Sequence, residues 1–323
     1  MLVYHPAGEP DDPVDPDDAI WLDLVSPSDD ELTLVERKVG LRLPSRVEMR
    51  AVEPSRRLRE ERGSLMITQS VLHGVGRDGV GRDDPDVAQA TLVLTGDRIV
   101  TLRFVDPEPF RQVSRKLEAD PSWAPDALSI LVRIEEAMID RLSDVYEQAR
   151  SVIDEVNARV FDRKEAADTR TPERRYEEFL FQIGAAQRLI SNLREVSVST
   201  GRAVRFLSQL DMIIDHPTAA HRLGAVLDDA SALQGRADHL SAAIDFLLDA
   251  TLGMINLQQN LVMKILSVVS VVLMPPTLLA GIYGMNFERM AGLHWALGFP
   301  AMLVVMLITA VVPYRWARSQ GWL

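Results

Sequence analysis

Strand-like runs come first along the chain, helical periodicities second and unbroken apolar stretches last. Ile20–Leu24 reads as a short strand, and Ser26-Pro27-Ser28-Asp29 predicts a cap, a first-turn proline and an acid opening a helix that ends near Val39. Ser64–Val71, Val87–Leu94 and Ile99–Phe104 are β-branched runs, the last two joined by the hairpin signal Thr95-Gly96-Asp97-Arg98. These elements predict a small α/β unit with an antiparallel sheet over residues 1–125. Residues 6–18, interrupted by Pro10, Pro13 and Pro16, read as a loop or frayed arm.

From residue 126 the pattern is helical. Asp126–Phe161 and Pro172–Leu210 are long and amphipathic, the second opened by Thr171-Pro172 as cap and first-turn proline. A third helix begins near Ala219 and meets no proline before Pro275, so it is expected to run from the long-helix region, residues 126–261, straight into an apolar span. It carries a heptad: Val226, Leu233, Leu240, Leu247, Met254 and Leu261 recur every seven residues, with Ala230, Ala237, Ile244, Thr251 and Gln258 on the companion seam. Such a seam packs either on the chain's own helices or on copies of the chain around an axis, and spacing alone leaves both open.

Two runs then lack charge. Ile265–Phe287 has no Asp, Glu, Lys or Arg in 23 residues, and Met290–Tyr314 has none in 25, with His294 as its imidazole. Each exceeds the roughly 20 residues that cross a hydrocarbon core, which excludes a wholly soluble protein. The expected division is a first span at 262–284, an external link at 285–294, a second span at 295–314 and a basic tail at 315–323. The amino-terminal sequence has neither the basic nor the apolar region of a cleaved signal peptide.

Charge sharpens this. The formal net charge is −12; Lys264, Arg289, Arg315 and Arg318 against Glu288 give residues 262–323 a net +3 and leave −15 for residues 1–261. The first 36 residues hold 11 acids and no Lys or Arg. An acidic soluble part argues against nucleic acid and suits cations. Lys264 before the first span and Arg315 and Arg318 after the second place both termini in the cytoplasm and the short link outside. The chain has no cysteine, so disulfides, thiolate metal sites and iron–sulfur clusters are excluded.

The residues with chemistry are few. HGVGRDGVGRDD, His73–Asp84, is glycine-rich but lies between strands and lacks the Gly-Lys-Ser/Thr of a phosphate loop, so it reads as a flexible hairpin loop and nothing suggests ATP as a driving force. His294 reads as an interfacial side chain, and His216 and His221 lack a third ligand at a metal spacing. Within the first span, Asn260, Met263, Leu266, Ser270, Met274, Thr277 and Gly281 are three or four residues apart and share one helix stripe. Its polar and small members suit either a narrow wet passage with hydrophobic constrictions or close packing of two spans. If it is a passage, one chain with two spans cannot surround it, so an oligomer is required.

Tyr283-Gly284-Met285-Asn286, followed by Phe287-Glu288, stands at the end of the first span. A Gly-Met-Asn tripeptide there, together with the whole stretch NLVMKILSVVSVVLMPPTLLAGIYGMNFE from Asn260 to Glu288 and the basic tail YRWARSQGWL, resembles the CorA family of divalent-cation channels. The resemblance implies an α+β cytoplasmic domain, long stalk helices and two C-terminal transmembrane helices in a funnel-shaped homopentamer of a prokaryotic inner membrane. It implies Mg²⁺ as cargo and as regulatory ion, with no other cofactor, Co²⁺ and Ni²⁺ as further ions, lipid and self as partners, and no enzyme activity. It makes Asn286 and Gly284 the outer selectivity site. An amide oxygen at Asn286 and a backbone carbonyl at Gly284 could read the water shell that Mg²⁺ gives up reluctantly.

The chain departs from the pattern in two places. Family members hold regulatory metal between neighbouring subunits with carboxylates, yet Ala225 stands where an Asp ligand is expected, which leaves Asp228, near Asp229, and Asp249 as the acidic alternatives. The link carries Glu288 as its one acid, so its attraction for cations should be weaker. Two other readings stay open: a ZntB-like, proton-coupled Zn²⁺ carrier, and a membrane-anchored enzyme or sensor.

Overall fold

The computed structural model describes residues 1–5, 18–51, 57–61, 63–75, 85–162, 172–285 and 297–322. The proposed arm at 6–18, but for Asp18, lies outside the described residues, as do residues 76–84 of the glycine-rich loop, whose His73 belongs to the sheet, and Thr171. The chain divides into two units, Met1–Leu247 and Leu248–Leu323.

The first unit is built on a six-stranded sheet: β1 (Leu2–His5), β2 (Trp21–Val25), β3 (Leu58–Glu61), β4 (Ser64–His73), β5 (Asp86–Thr95) and β6 (Arg98–Arg103), in the order β1-β2-β6-β5-β4-β3. The expected antiparallel sheet is in fact mixed, because β2 and β6 pair in parallel while every other neighbour is antiparallel. The hairpin falls as expected: Thr95 pairs with Arg98, and Gly96 takes φ +52 in the turn. Helices α1 (Asp29–Val39) and α2 (Arg46–Ala51) contribute Val35 and Met49 to a core with Leu22, Leu24, Val93, Val100 and Leu102.

The cap of α1 differs from the expectation. Ser26 lies at φ +45 and donates its backbone N–H to Arg103 O at 2.8 Å, which ties it to the end of the parallel ladder. Ser28 caps instead, in a reciprocal capping box with Glu31, and Pro27 precedes the helix.

On strands β2 and β6 the inward-facing polar residues are paired. Asp23 accepts Arg103 Nη2 at 2.7 Å and Thr101 Oγ1 at 2.6 Å, and Thr101 Oγ1 accepts Trp21 Nε1 at 2.8 Å. The Arg103 guanidinium also covers Phe110 of α3 (Glu108–Ala119) at 4.9 Å. A buried ion pair that lost one partner would leave an uncompensated charge, so removing either Asp23 or Arg103 alone would be strongly destabilising.

Helix α4 (Ala127–Val160) starts at the Asp126 cap and ends at Phe161, as the sequence implied. Helix α5 (Pro172–Leu207) ends three residues before Leu210, whose carbonyl caps the short α6 (Asp211–Ile214). Helix α7 runs from Pro217 to Tyr283, 67 residues, without a break at Pro275 and Pro276. Its proline start precedes Ala219 by two residues, since proline fits the first helical position.

The heptad question is answered for its first part. Val226, Ala230, Leu233, Ala237, Leu240, Ile244 and Leu247 are buried within the single chain. Arg222 holds Glu136 of α4 through two bonds of 2.5 Å, and the Ala230 methyl lies beside Gly201 of α5. Beyond Leu247 burial fades: Met254 is partly covered and Leu261 is 57% exposed.

One buried group stands out. Glu135 of α4 is fully buried and accepts Gln69 Nε2 of β4 at 2.7 Å, while its Oε2 and the Gln69 Oε1 have no hydrogen-bond partner among the described residues. Burial pushes its carboxyl up to about 8, and the Gln69 bond opposes this only partly. The native state therefore holds the proton more tightly than the unfolded chain, so its contribution is complete below about pH 4.5 and is lost as pH rises toward 8. Glu135→Gln should flatten the pH dependence of the melting temperature across that window and melt above the native protein at high pH. An unchanged slope in thermal melts of the variant would contradict this assignment.

Candidate ion path

The second unit holds the apolar end of α7 and helix α8 (Gly298–Ser319), both long and apolar enough to cross a membrane. Among its described residues Thr251, Val268 and Ala317 are buried, and most other side chains are exposed. A helix apolar on nearly all sides and uncovered by its own chain is covered by lipid, by copies of itself or by both.

On α7 the stripe occupies an arc of about 120° at 100° per residue, and its rise from Asn260 to Gly281 is about 32 Å, close to a hydrocarbon core. Asn260, Met263, Leu266, Ser270, Met274, Thr277 and Gly281 are all exposed in the single chain. The hydroxyls have a defined orientation. Ser270 Oγ donates to Leu266 O at 2.9 Å and Thr277 Oγ1 to Leu273 O at 2.8 Å, so each spends its proton on its own helix and presents oxygen lone pairs outward. Ser267, which falls within the same arc, does the same toward Met263 O at 2.7 Å. Oxygens that are acceptors only suit a cation or the waters around one. Pro275 and Pro276 also donate nothing to the preceding turn, which leaves the carbonyls of Val271 and Val272 without their usual helical donors.

At the helix end, Tyr283 closes α7, Gly284 donates to Ala280 O at 2.8 Å and Met285 to Ile282 O at 3.3 Å. A Cβ on Gly284 would meet Ala280 O at 2.9 Å, a backbone atom that cannot move aside. Glycine is thus required by close approach. Asn286 lies outside the described residues, together with Glu288 and His294.

The regulatory alternatives are exposed carboxylates on α7: Asp228 in the first unit, with Asp229 beside it, and Asp249 in the second. No group of three or more His, Asp or Glu able to hold a metal occurs among the described residues. An acidic neighbourhood that the sequence reading missed joins Asp140 and Asp144 of α4 with Asp229. The Asp140 carboxyl is raised by burial first and by Asp144 next, with Asp229 adding and Lys116 opposing. Its only sequence signal is the four-residue spacing of Asp140 and Asp144; the contribution of Asp229 needs the packing of α7 on α4.

An α+β unit is thus followed by two helices long and apolar enough to cross a membrane, the first of which carries an exposed polar stripe. The family model for CorA-like Mg²⁺ transporter proteins matches residues 16–318, and the chain belongs to that family. It is 30% identical over 306 residues to the magnesium transport protein CorA of Haemophilus ducreyi, covering 95% of this chain and 92% of that one. It is 28% identical over 305 residues to the protein of the same name from Escherichia coli strain K12, covering 94% and 92%. The complete structure of the CorA magnesium transporter from Methanocaldococcus jannaschii superposes with a TM-score of 0.71 at 16% identity, covering 94% of this chain and 91% of that chain. The ZntB cytoplasmic domain from Vibrio parahaemolyticus shares the fold over 72% of this chain, covering 85% of its own length, with a TM-score of 0.53 and 12% identity. The expected α+β domain, long helices and two C-terminal apolar helices are therefore borne out.

Gly284→Ala should lower Mg²⁺ uptake by about tenfold or more, the factor that 1.4 kcal/mol of distortion at the path would give, while leaving the melting of the first unit unchanged. Full uptake by a folded variant would show that the turn after α7 tolerates displacement.

Proposed function

We propose that the protein is a homopentameric channel that admits hydrated Mg²⁺, with Co²⁺ and Ni²⁺ as further ions, down the membrane potential. The observation that carries this is the stripe of acceptor-only oxygens and hydrophobic side chains along α7, ending in the tightly approached Gly284. In this reading α7 and α8 both cross the inner membrane, the termini are cytoplasmic, and five copies of the stripe enclose the path.

Asn286 and Gly284 form the outer selectivity site, flanked by Tyr283 and Met285. Amide and carbonyl oxygens there bind the ion's outer waters and spare Mg²⁺ a dehydration it resists. Met263, Leu266 and Met274 form apolar constrictions, and Asn260, Ser270 and Thr277 supply polar rungs between them. A divalent ion moving into a cell at −100 mV gains about 4.6 kcal/mol, so no nucleotide is needed. Asp228 and Asp249 bind regulatory Mg²⁺ from the cytoplasm across subunits. The family match and the full-length relatives at 28–30% identity support this reading over a Zn²⁺ carrier, to whose cytoplasmic domain the chain is similar at 12% identity.

In liposomes under an inside-negative potassium potential, a trapped dye should report Mg²⁺ entry that grows with potential and is lost in Asn286→Ala. Zn²⁺ entry that needs a proton gradient, with no Mg²⁺ entry at any potential, would replace the channel by the carrier.

A further inference from the structure

The end of α8 is folded back on itself. Gly321 takes φ +69 and donates to Arg318 O at 3.1 Å, and Trp322 donates to Ala317 O at 3.1 Å. These two bonds make a Schellman turn, in which only glycine is comfortable at the left-handed position and the residue after it packs on the last helical turn. Here that contact is between Trp322 and Trp316, whose rings meet edge to face at 5.6 Å and 65°. Gly321 and Trp322 lie beyond the residues that the family model matches.

Both rings remain open, Trp316 at 55% and Trp322 at 39%, so the turn arranges an aromatic platform without burying it. Arg315 and Arg318 flank it and are exposed, as is Lys264 on α7. The rise from Lys264 to Tyr283 is about 28 Å and from Gly298 to Arg315 about 26 Å, each near the thickness of a hydrocarbon core. Two helices crossing in turn through a short link bring these three cations back to one membrane face. Between residues 262 and 323 the single acid is Glu288, next to the link and thus at the opposite ends of both helices. An amphipathic aromatic pair set among cations, with no Asp or Glu near it in the sequence, matches the headgroup layer of an anionic leaflet.

We propose that the Trp316–Trp322 clasp, with Arg315, Arg318 and Lys264, is a binding site for anionic phospholipid that fixes the depth of α8. The site rests on the reading that α7 and α8 span the membrane, and not on which ion is carried. The arginines select the headgroup charge, the tryptophans sit at the glycerol level, and Gly321 holds the geometry.

The test uses the full chain in phosphatidylcholine vesicles containing either phosphatidylglycerol or further phosphatidylcholine brominated near the headgroup. Bromine quenches nearby tryptophan, and subtracting the Trp316→Phe/Trp322→Phe variant removes the signal of the other tryptophans. Since a basic residue near an anionic surface prefers it severalfold, the pair should be quenched about twofold or more strongly by the brominated phosphatidylglycerol. Arg315→Gln/Arg318→Gln should bring that ratio near one, and Gly321→Val should lower it with every charge retained. Circular dichroism and oligomer size check that each variant folds, and if Gly321→Val does not, the arginine variant decides alone. Equal quenching by the two lipids in the native protein, or a ratio that survives loss of both arginines, would overturn the proposal. No quenching of the pair by either lipid would overturn the spanning reading as well. None of these readouts depends on Mg²⁺ flux, so a failed transport assay leaves this result intact.

Discussion

Hydrocarbon offers Asn260, Ser270 and Thr277 no partner, yet these residues share one stripe of a helix that is otherwise apolar. Ser270 and Thr277 reduce the cost by giving their protons to carbonyls one turn back, but their lone pairs and the whole Asn260 amide still need water or a cation. A single chain cannot provide this, because α7 beyond Leu247 is covered by almost nothing of its own. In the proposed channel, copies arranged with the stripe inward would solve both problems together: the oxygens would meet water and the remaining faces lipid. Side-chain solvation is in this sense the physical argument for an oligomer.

Helix α7 changes character along its length for the same reason. Up to Leu247 its seam is alanine, leucine, isoleucine and valine buried against the chain's own helices, anchored by the Arg222–Glu136 pair. Past that point the seven-residue spacing persists through Met254 and Leu261, but of these seam positions Thr251 alone is buried, Met254 is partly covered and Leu261 is exposed. One periodicity thus serves intramolecular packing first and, in the proposed channel, packing between copies afterwards. That division explains how a sequence pattern compatible with both could not choose between them.

Much of the architecture is legible in the sequence because it is local. The limits of α4, the β5–β6 turn and the entry of α7 follow from caps, prolines and a glycine that act within a few residues. What escaped depends on distant partners. The parallel β2–β6 pairing joins Trp21 to Ile99, and the cap moves from Ser26 to Ser28 because Ser26 is held by Arg103. The polar stripe was readable from spacing, whereas the orientation of its hydroxyls and the close approach at Gly284 required coordinates. Glu135 gave no signal at all, since its position opposite Gln69 is set by how α4 crosses the sheet. The same holds for Trp322, whose role appears only once Gly321 turns it back onto Trp316.

Because the native chain has no cysteine, the stripe can be tested one residue at a time. Single cysteines at Met263, Leu266, Ser270, Met274, Thr277 and Gly281, and on the opposite face at Ile265, Val272 and Leu279, would be exposed to a small charged thiol reagent while Mg²⁺ flux through reconstituted protein is followed. Flux should be blocked at the stripe positions and unaffected at the other three, a helical period of reactivity along α7. Block at Ile265, Val272 and Leu279, or reactivity with no helical period, would contradict the claim that this face of α7 lines the ion path.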